Sequence, residues 1–145
     1  QPVLYSYGTM DEIWEDVYKG ADAFHTDYMI PRVGDEADPG MSLWLNYITF
    51  AKEEPRLFRF LYQTDKFVGM DIDTLMGNPG LLEILKVVAG EANCDIEEAR
   101  KMFLTFFSVA HGLASLLANN SMKYDEEQIT EMLKKVFFGM LSAGR

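Results

Sequence analysis

Apolar residues recur at spacings of three and four along most of the chain, which is the period of an amphipathic helix. The clearest run closes the chain and contains Ile129, Met132, Leu133, Val136, Phe137, Met140 and Leu141. Alternation of apolar and polar residues, which would indicate strands, is not convincing anywhere. The pattern predicts an all-α domain of about six helices.

Capping residues mark where these helices begin. The predicted starts are Thr9 with Glu12, Ser42, Asn78 before Pro79, Asp95 with Glu98, and Asp125 with Gln128. Pro31 ends the first helix, and Pro55 breaks the second and opens a short third one. Residues 31–40 and 66–77 are therefore predicted to be connections.

The helix predicted over 95–119 is apolar nearly all round, so it needs cover on two sides. It is either the central helix of the core, or it also pairs with the last helix in a symmetric dimer. Phe138 lies off the main apolar stripe of the last helix, which favours the dimer. Two helices from each subunit would then form a four-helix bundle.

Composition narrows the classes of function. The 145 residues include 23 acidic and 13 basic ones, giving a net charge of −10, so the chain alone is a poor DNA binder. Cys94 is the single cysteine and there are two histidines, too few for a Cys/His zinc site. We expect no membrane span and no signal peptide, and hence a cytoplasmic protein. Since the sequence lacks an initiator methionine, we expect a fragment.

The residues that enzymes use are not arranged for catalysis. Cys94 has no histidine near it in sequence and is expected to be inert. The acidic clusters each begin a helix, where the helix dipole explains them. We therefore predict no enzyme, no metal and no cofactor.

Three segments carry a resemblance to a known family. The first reads QPVLYSYGTMDEIWEDVY, the second LWLNYITFAKEEPRLFRFLY, and the third FFSVAHGLASLLANNSMKYDEEQITEMLKKVFFGML. The first resembles the junction after the recognition helix of TetR-family regulators, although a phenylalanine expected after Tyr7 is absent and Met10 replaces the usual lysine. The other two resemble later helices of the same family, so the similarity spans most of the chain.

The resemblance implies a TetR-like C-terminal helical bundle whose last two helices form the dimer interface. Residues 1–8 would be the remnant of a helix-turn-helix domain lying mostly upstream, and residues 9–145 an effector-binding and dimerisation domain. Gln1, Tyr5 and Tyr7 would contact DNA, or else the tyrosines merely pack at the domain junction. The implied dimer interface comprises Leu113, Leu116, Leu117, Ile129, Met132, Leu133, Val136, Phe137 and Met140.

Aromatic residues and methionines are abundant enough to wall an apolar pocket. By the resemblance, the candidate ligand-binding residues are Trp14, Tyr18, Trp44, Tyr47, Ile48, Phe58, Leu61, Tyr62, Phe67, Phe103, Phe106, Phe107 and His111. Core packing explains any one of them equally well. His111 either is satisfied by a neighbouring hydroxyl or carbonyl, or anchors a ligand or partner.

The sequence thus favours a ligand-responsive bacterial transcriptional regulator, most simply a repressor. A small apolar or aromatic effector would bind the helical domain of a homodimer and control its binding to operator DNA. The alternative is a free-standing, all-α dimeric adaptor that binds no small molecule.

Overall fold

The computed structural model describes residues 8–33 and 39–143, and this part of the chain is helical with no β-strand. Two 3₁₀ turns, Asp65–Phe67 and Pro79–Leu81, lie in the connections. The α-helices are α1 (Met10–Val33), α2 (Pro39–Glu53), α3 (Pro55–Tyr62), α4 (Ile72–Met76), α5 (Leu82–Ala92), α6 (Ile96–Asn120) and α7 (Glu126–Ala143). The prediction of an all-α fold is confirmed, with α4 as a seventh helix among the described residues.

Most of the predicted caps are present. At the start of α1, the Glu12 N–H donates to Thr9 Oγ1 over 3.2 Å, and the Thr9 N–H donates back to Glu12 Oε2 over 3.1 Å. Asp95 Oδ1 accepts from the Glu98 N–H at 2.8 Å, and Asp125 Oδ1 accepts from the Gln128 N–H at 3.0 Å. These side chains satisfy N–H groups that have no partner inside their own helices.

Two predicted boundaries are wrong. Helix α1 runs through Pro31 to Val33, because a proline this close to a helix end removes only one backbone hydrogen bond. Helix α2 begins at Pro39 rather than at Ser42. Glu91 caps it from α5, since its Oε1 accepts from the Gly40 N–H at 3.0 Å. The Glu91 carboxylate occupies the space that a Cβ at Gly40 would take, so a larger residue there would displace this cap.

The connection predicted over 66–77 contains helix α4. Asp71 caps it by accepting from the Thr74 N–H at 2.7 Å. The guanidinium of Arg100 on α6 donates to the carbonyl of Met76, the last residue of α4. A side chain thus caps the start of α4, and a side chain of α6 contacts its last residue.

Helices α2 and α6 form the centre of the bundle. Helix α6 packs against α2, α3, α5 and α7, and α2 also packs against α1. The core face of α6 presents Ala99, Phe103, Phe106, Ala110, Ala114, Leu117 and Ala118, all buried. The four alanines on this face allow the neighbouring helices to approach closely. For this side of α6, the prediction of a central core helix is confirmed.

By length and composition alone, α6 could cross a membrane. Its most apolar window has a mean hydropathy of 1.4, and 39% of that window is buried inside the bundle. The core helix of a water-soluble protein passes the same test, so this is weak evidence. Four helices already pack against α6, which accounts for much of its apolar surface.

Candidate ligand-binding site

A cavity of about 320 Å³ lies among helices α1, α2, α5 and α6, next to the connection that contains α4. Its volume is at the lower end of the range that is typical of small-molecule sites. The lining residues are Tyr18, Asp22, His25, Thr26, Met29, Leu43, Trp44, Tyr47, Tyr62, Phe67, Leu75, Met76, Asn78, Gly80, Leu81, Ile84, Phe103 and Phe107. We call it the larger cavity.

A second cavity of about 270 Å³ adjoins the first. Four residues line both of them, namely Tyr62, Phe67, Leu75 and Phe107. This smaller cavity is completed by Met70, Asp71, Ile72 and His111. The two cavities therefore share part of their walls.

Two partly buried hydrogen bonds border the cavities. Tyr62 Oη lies 3.3 Å from His25 Nε2, and Tyr47 Oη lies 2.8 Å from His111 Nδ1. The rings of Tyr47 and Tyr62 meet edge to face, with their centroids 5.4 Å apart. We call these four residues the His–Tyr chain. In the order His25, Tyr62, Tyr47 and His111, they lie on α1, α3, α2 and α6.

The two hydroxyl protons of the His–Tyr chain are sufficient for its two hydrogen bonds, because each bond joins one tyrosine hydroxyl to one imidazole nitrogen. When both imidazoles accept, a neutral His25 carries its proton on Nδ1 and a neutral His111 carries its proton on Nε2. In the opposite direction, the imidazole N–H donates and the tyrosine oxygen accepts.

Burial keeps the His–Tyr chain uncharged at neutral pH. Desolvation lowers the pKa of His25 to about 4, against a smaller opposing effect of Asp22. Desolvation also lowers the pKa of His111. Burial raises the pKa of Tyr47 and of Tyr62 above the ordinary tyrosine value, and the charge of Asp22 raises that of Tyr62 further.

The structure gathers most of the predicted ligand-binding residues around these cavities. Those that line one or both cavities are Tyr18, Trp44, Tyr47, Tyr62, Phe67, Phe103, Phe107 and His111. His111 has the neighbouring hydroxyl that was one of its two predicted roles, and it also faces the smaller cavity.

Five predicted residues lie outside the cavity walls. Ile48, Phe58, Leu61 and Phe106 are almost completely buried in the core. Trp14 stacks on Tyr18, with ring centroids 5.2 Å apart, and is one layer removed from the cavity. These side chains support the walls rather than forming them, because helix periodicity identifies a buried face without showing where the face leaves a gap.

His25 is the main residue that sequence reasoning missed. It follows Tyr18 by seven positions and Ala21 by four, so it continues the apolar face of α1. Asp22 was missed in the same way, since it lies one helical turn after Tyr18. A polar residue on an otherwise apolar face was the signal that could have found them.

The residues predicted for the dimer interface divide into three groups by their exposure. Leu117, Ile129 and Leu133 are buried within the protomer, and Leu113, Val136, Phe137 and Met140 are half-buried. Leu116 is 45% exposed and Met132 40% exposed, while Phe138, which was not included, is 57% exposed. A partner could therefore reach Leu116, Met132 and Phe138 directly. Gln1, Tyr5 and Tyr7, predicted to contact DNA, lie outside the described residues.

Other candidate chemistry is sparse in the described part of the chain. No group of three His, Cys, Asp or Glu side chains there could hold a metal ion. The pKa of the Cys94 thiol is raised by desolvation and by the nearby carboxylates of Asp95 and Glu98. A thiol with a raised pKa is a poor nucleophile.

Comparison with known proteins adds one finding. Residues 41–137 match the family model described as "Tetracyclin repressor-like, C-terminal domain". The match covers more than half of the 145 residues and includes the whole of α3, α4, α5 and α6. No curated protein and no solved structure matches the chain significantly.

Proposed function

The chain belongs to the family of tetracyclin repressor-like C-terminal domains, and from that premise we propose that it senses a small molecule for a TetR-type transcriptional regulator, most simply a repressor. Domains of this family are regulatory rather than enzymatic. The proposed effector is small and apolar or aromatic, and the protein acts as a cytoplasmic homodimer without catalytic activity.

The observation that carries this proposal is the pair of adjoining cavities bordered by the His–Tyr chain. Aromatic side chains make up much of their walls, and Met29, Met70 and Met76 can repack around ligands of different shape. Small-molecule sites combine such apolar walls with a few placed polar groups. A ligand of one or two rings fits the available volume.

Ligand binding would be transmitted through α1. This helix contributes Tyr18, Asp22 and His25 to the larger cavity, and its start resembles the helix that follows the DNA-binding head in TetR regulators. A ligand shifts such a protein only if it binds one arrangement more tightly than the other. A ligand that competes for Tyr62 Oη would loosen the bond to His25 and so favour a different position of α1.

The ligand site is tested with one- and two-ring aromatic fragments, screened by ligand-observed NMR on the purified chain. Leu75 lines both cavities, so Leu75→Trp should fill the space and abolish specific binding. Leu82→Trp is the matched control, because Leu82 is 45% exposed and lines neither cavity. If no fragment binds, or if Leu75→Trp leaves binding intact, these cavities are not the effector site.

The dimer is tested by native mass spectrometry and light scattering. Leu116→Glu should convert the dimer into monomers, since it places a charge on the face shared by α6 and α7. Val87→Glu on α5 is the matched control, because Val87 and Leu116 are both 45% exposed. A monomeric wild type, or a dimer that survives Leu116→Glu, would contradict this interface.

Control of DNA binding is tested on the intact gene product. Duplexes selected from a random library identify the operator, and release of that duplex on adding a bound fragment would show the regulatory response. The alternative of a dimeric adaptor without a ligand leaves both cavities without a role, and no described feature favours it.

A further inference from the structure

The charged side chains among the described lining residues of the two cavities are all negative. Among their described lining residues there are two carboxylates, Asp22 and Asp71, and no lysine or arginine. Arg100 lines neither cavity, although its guanidinium donates to the carbonyl of the wall residue Met76. The same guanidinium lies 3.8 Å from a Glu97 carboxylate oxygen, which partly neutralises its charge.

The histidines do not change this balance at neutral pH. Burial lowers the pKa of both His25 and His111, so neither adds a positive charge to the site. Asp22 is close enough to raise the pKa of the Tyr18 and Tyr62 hydroxyls. Asp22 is itself exposed to solvent, so its negative charge acts mainly on the part of the larger cavity that it lines.

The aromatic walls favour a bound cation, as the carboxylates among the lining residues do. Seven aromatic side chains line the larger cavity, among them Trp44, Tyr47 and Tyr62. Ring faces attract a cation placed within about 6 Å of the centroid. Among the described lining residues an anion would find no opposite charge to replace its hydration, and it would face Asp22 as well.

From this juxtaposition we propose that the effector is an aromatic or apolar cation, such as a protonated amine, held between the aromatic walls and the Asp22 carboxylate. The inference rests on the proposed function, since it specifies the ligand of the same cavities. It selects against carboxylates and phosphates of the same size and shape.

Three probes of one shape test the inference by titration calorimetry at pH 7: 2-(2-naphthyl)ethylamine as the ammonium, 2-naphthylacetamide as the neutral form and 2-naphthylacetate as the anion. We expect the ammonium to bind about tenfold more tightly than the amide, and the carboxylate to bind most weakly. Asp22→Asn should remove most of the ammonium's advantage and leave amide binding within about twofold.

Asp27→Asn is the matched control. Asp27 is an exposed aspartate of α1 that does not line the larger cavity, so the same loss of charge there should change each affinity less than about twofold. Equal binding of all three probes, or tightest binding of the carboxylate, would overturn the charge preference while leaving the ligand site intact. Binding of none of them would overturn the preference and count against the proposed ligand site as well.

Discussion

His25 should make the stability of this domain depend on pH in a range where most carboxylates do not titrate. Its side chain is 7% exposed and its Nε2 lies 3.3 Å from Tyr62 Oη. Replacing it by glutamine removes the titration while keeping a polar group that can reach Tyr62. Asp22, Tyr47 and Tyr62 are the titratable groups nearest to it, and His111 lies at the other end of the His–Tyr chain.

The sign and size follow from proton linkage. The pKa of His25 falls from 6.5 to about 4 on folding, so the unfolded chain binds more protons between these values. Stability is fully present above the unfolded value and is lost as the pH falls towards the folded one. From pH 7 to pH 5 this loss amounts to about 2 kcal/mol.

The assay is urea unfolding, followed by circular dichroism, of wild type and His25→Gln at pH 7 and pH 5. We expect the free energy of unfolding to fall by about 2 kcal/mol more in wild type than in the variant. His111 and the carboxylates are present in both proteins, so their contributions largely cancel. A difference below about 0.5 kcal/mol would show that His25 titrates normally and refute its described burial. Titration of the His25 Hε1 resonance by NMR gives the pKa independently.

Three further predictions concern unfolding free energies at pH 7. Tyr47→Phe should cost about 1–3 kcal/mol, because it leaves His111 Nδ1 without its hydroxyl partner; Tyr124→Phe, whose hydroxyl makes only a 3.4 Å contact with Thr49, should cost less than about 0.5 kcal/mol. Equal costs would contradict the His–Tyr chain. Leu133→Ala should cost about 2–5 kcal/mol, since Leu133 is fully buried. Lys134 is exposed, so Lys134→Ala should change the free energy of unfolding by less than about 0.5 kcal/mol. A mild effect of Leu133→Ala would place this side chain outside the core. Asp95→Ala should cost about 1 kcal/mol by removing the cap of α6, and a neutral result would mean that the packing of α6 alone fixes its start.

The helices were predictable because their signals are local. A cap such as Asp95 with Glu98 acts within one turn, and apolar spacing acts within a few turns. The exceptions depend on contacts distant in sequence. The start of α2 relies on Glu91, which lies 51 positions after Gly40, and the end of α4 meets Arg100 across 24 positions. No pattern within a short window contains such contacts.

The candidate site was predictable only in outline. Phe58 and Phe107 have the same chemistry and lie on equally apolar helices, yet Phe58 is fully buried in the core and Phe107 borders both cavities. The difference depends on where the packed helices leave space, and that is a property of the whole bundle. Apolar periodicity therefore identifies candidates for a pocket without separating walls from core.

Polar residues on apolar helix faces distinguish the walls of a cavity from the core more clearly than apolar residues do. A core position has a strong reason to be apolar, because a buried polar group must find a hydrogen-bond partner. His25 meets this requirement through Tyr62, and Tyr47 and His111 meet it through each other, and all four residues border a cavity. A hydrophobic side chain at each position would pack at least as well without needing a partner. Their joint presence is therefore better explained by contact with a ligand than by stability, and this makes the His–Tyr chain stronger support for the proposed site than any aromatic residue in its walls.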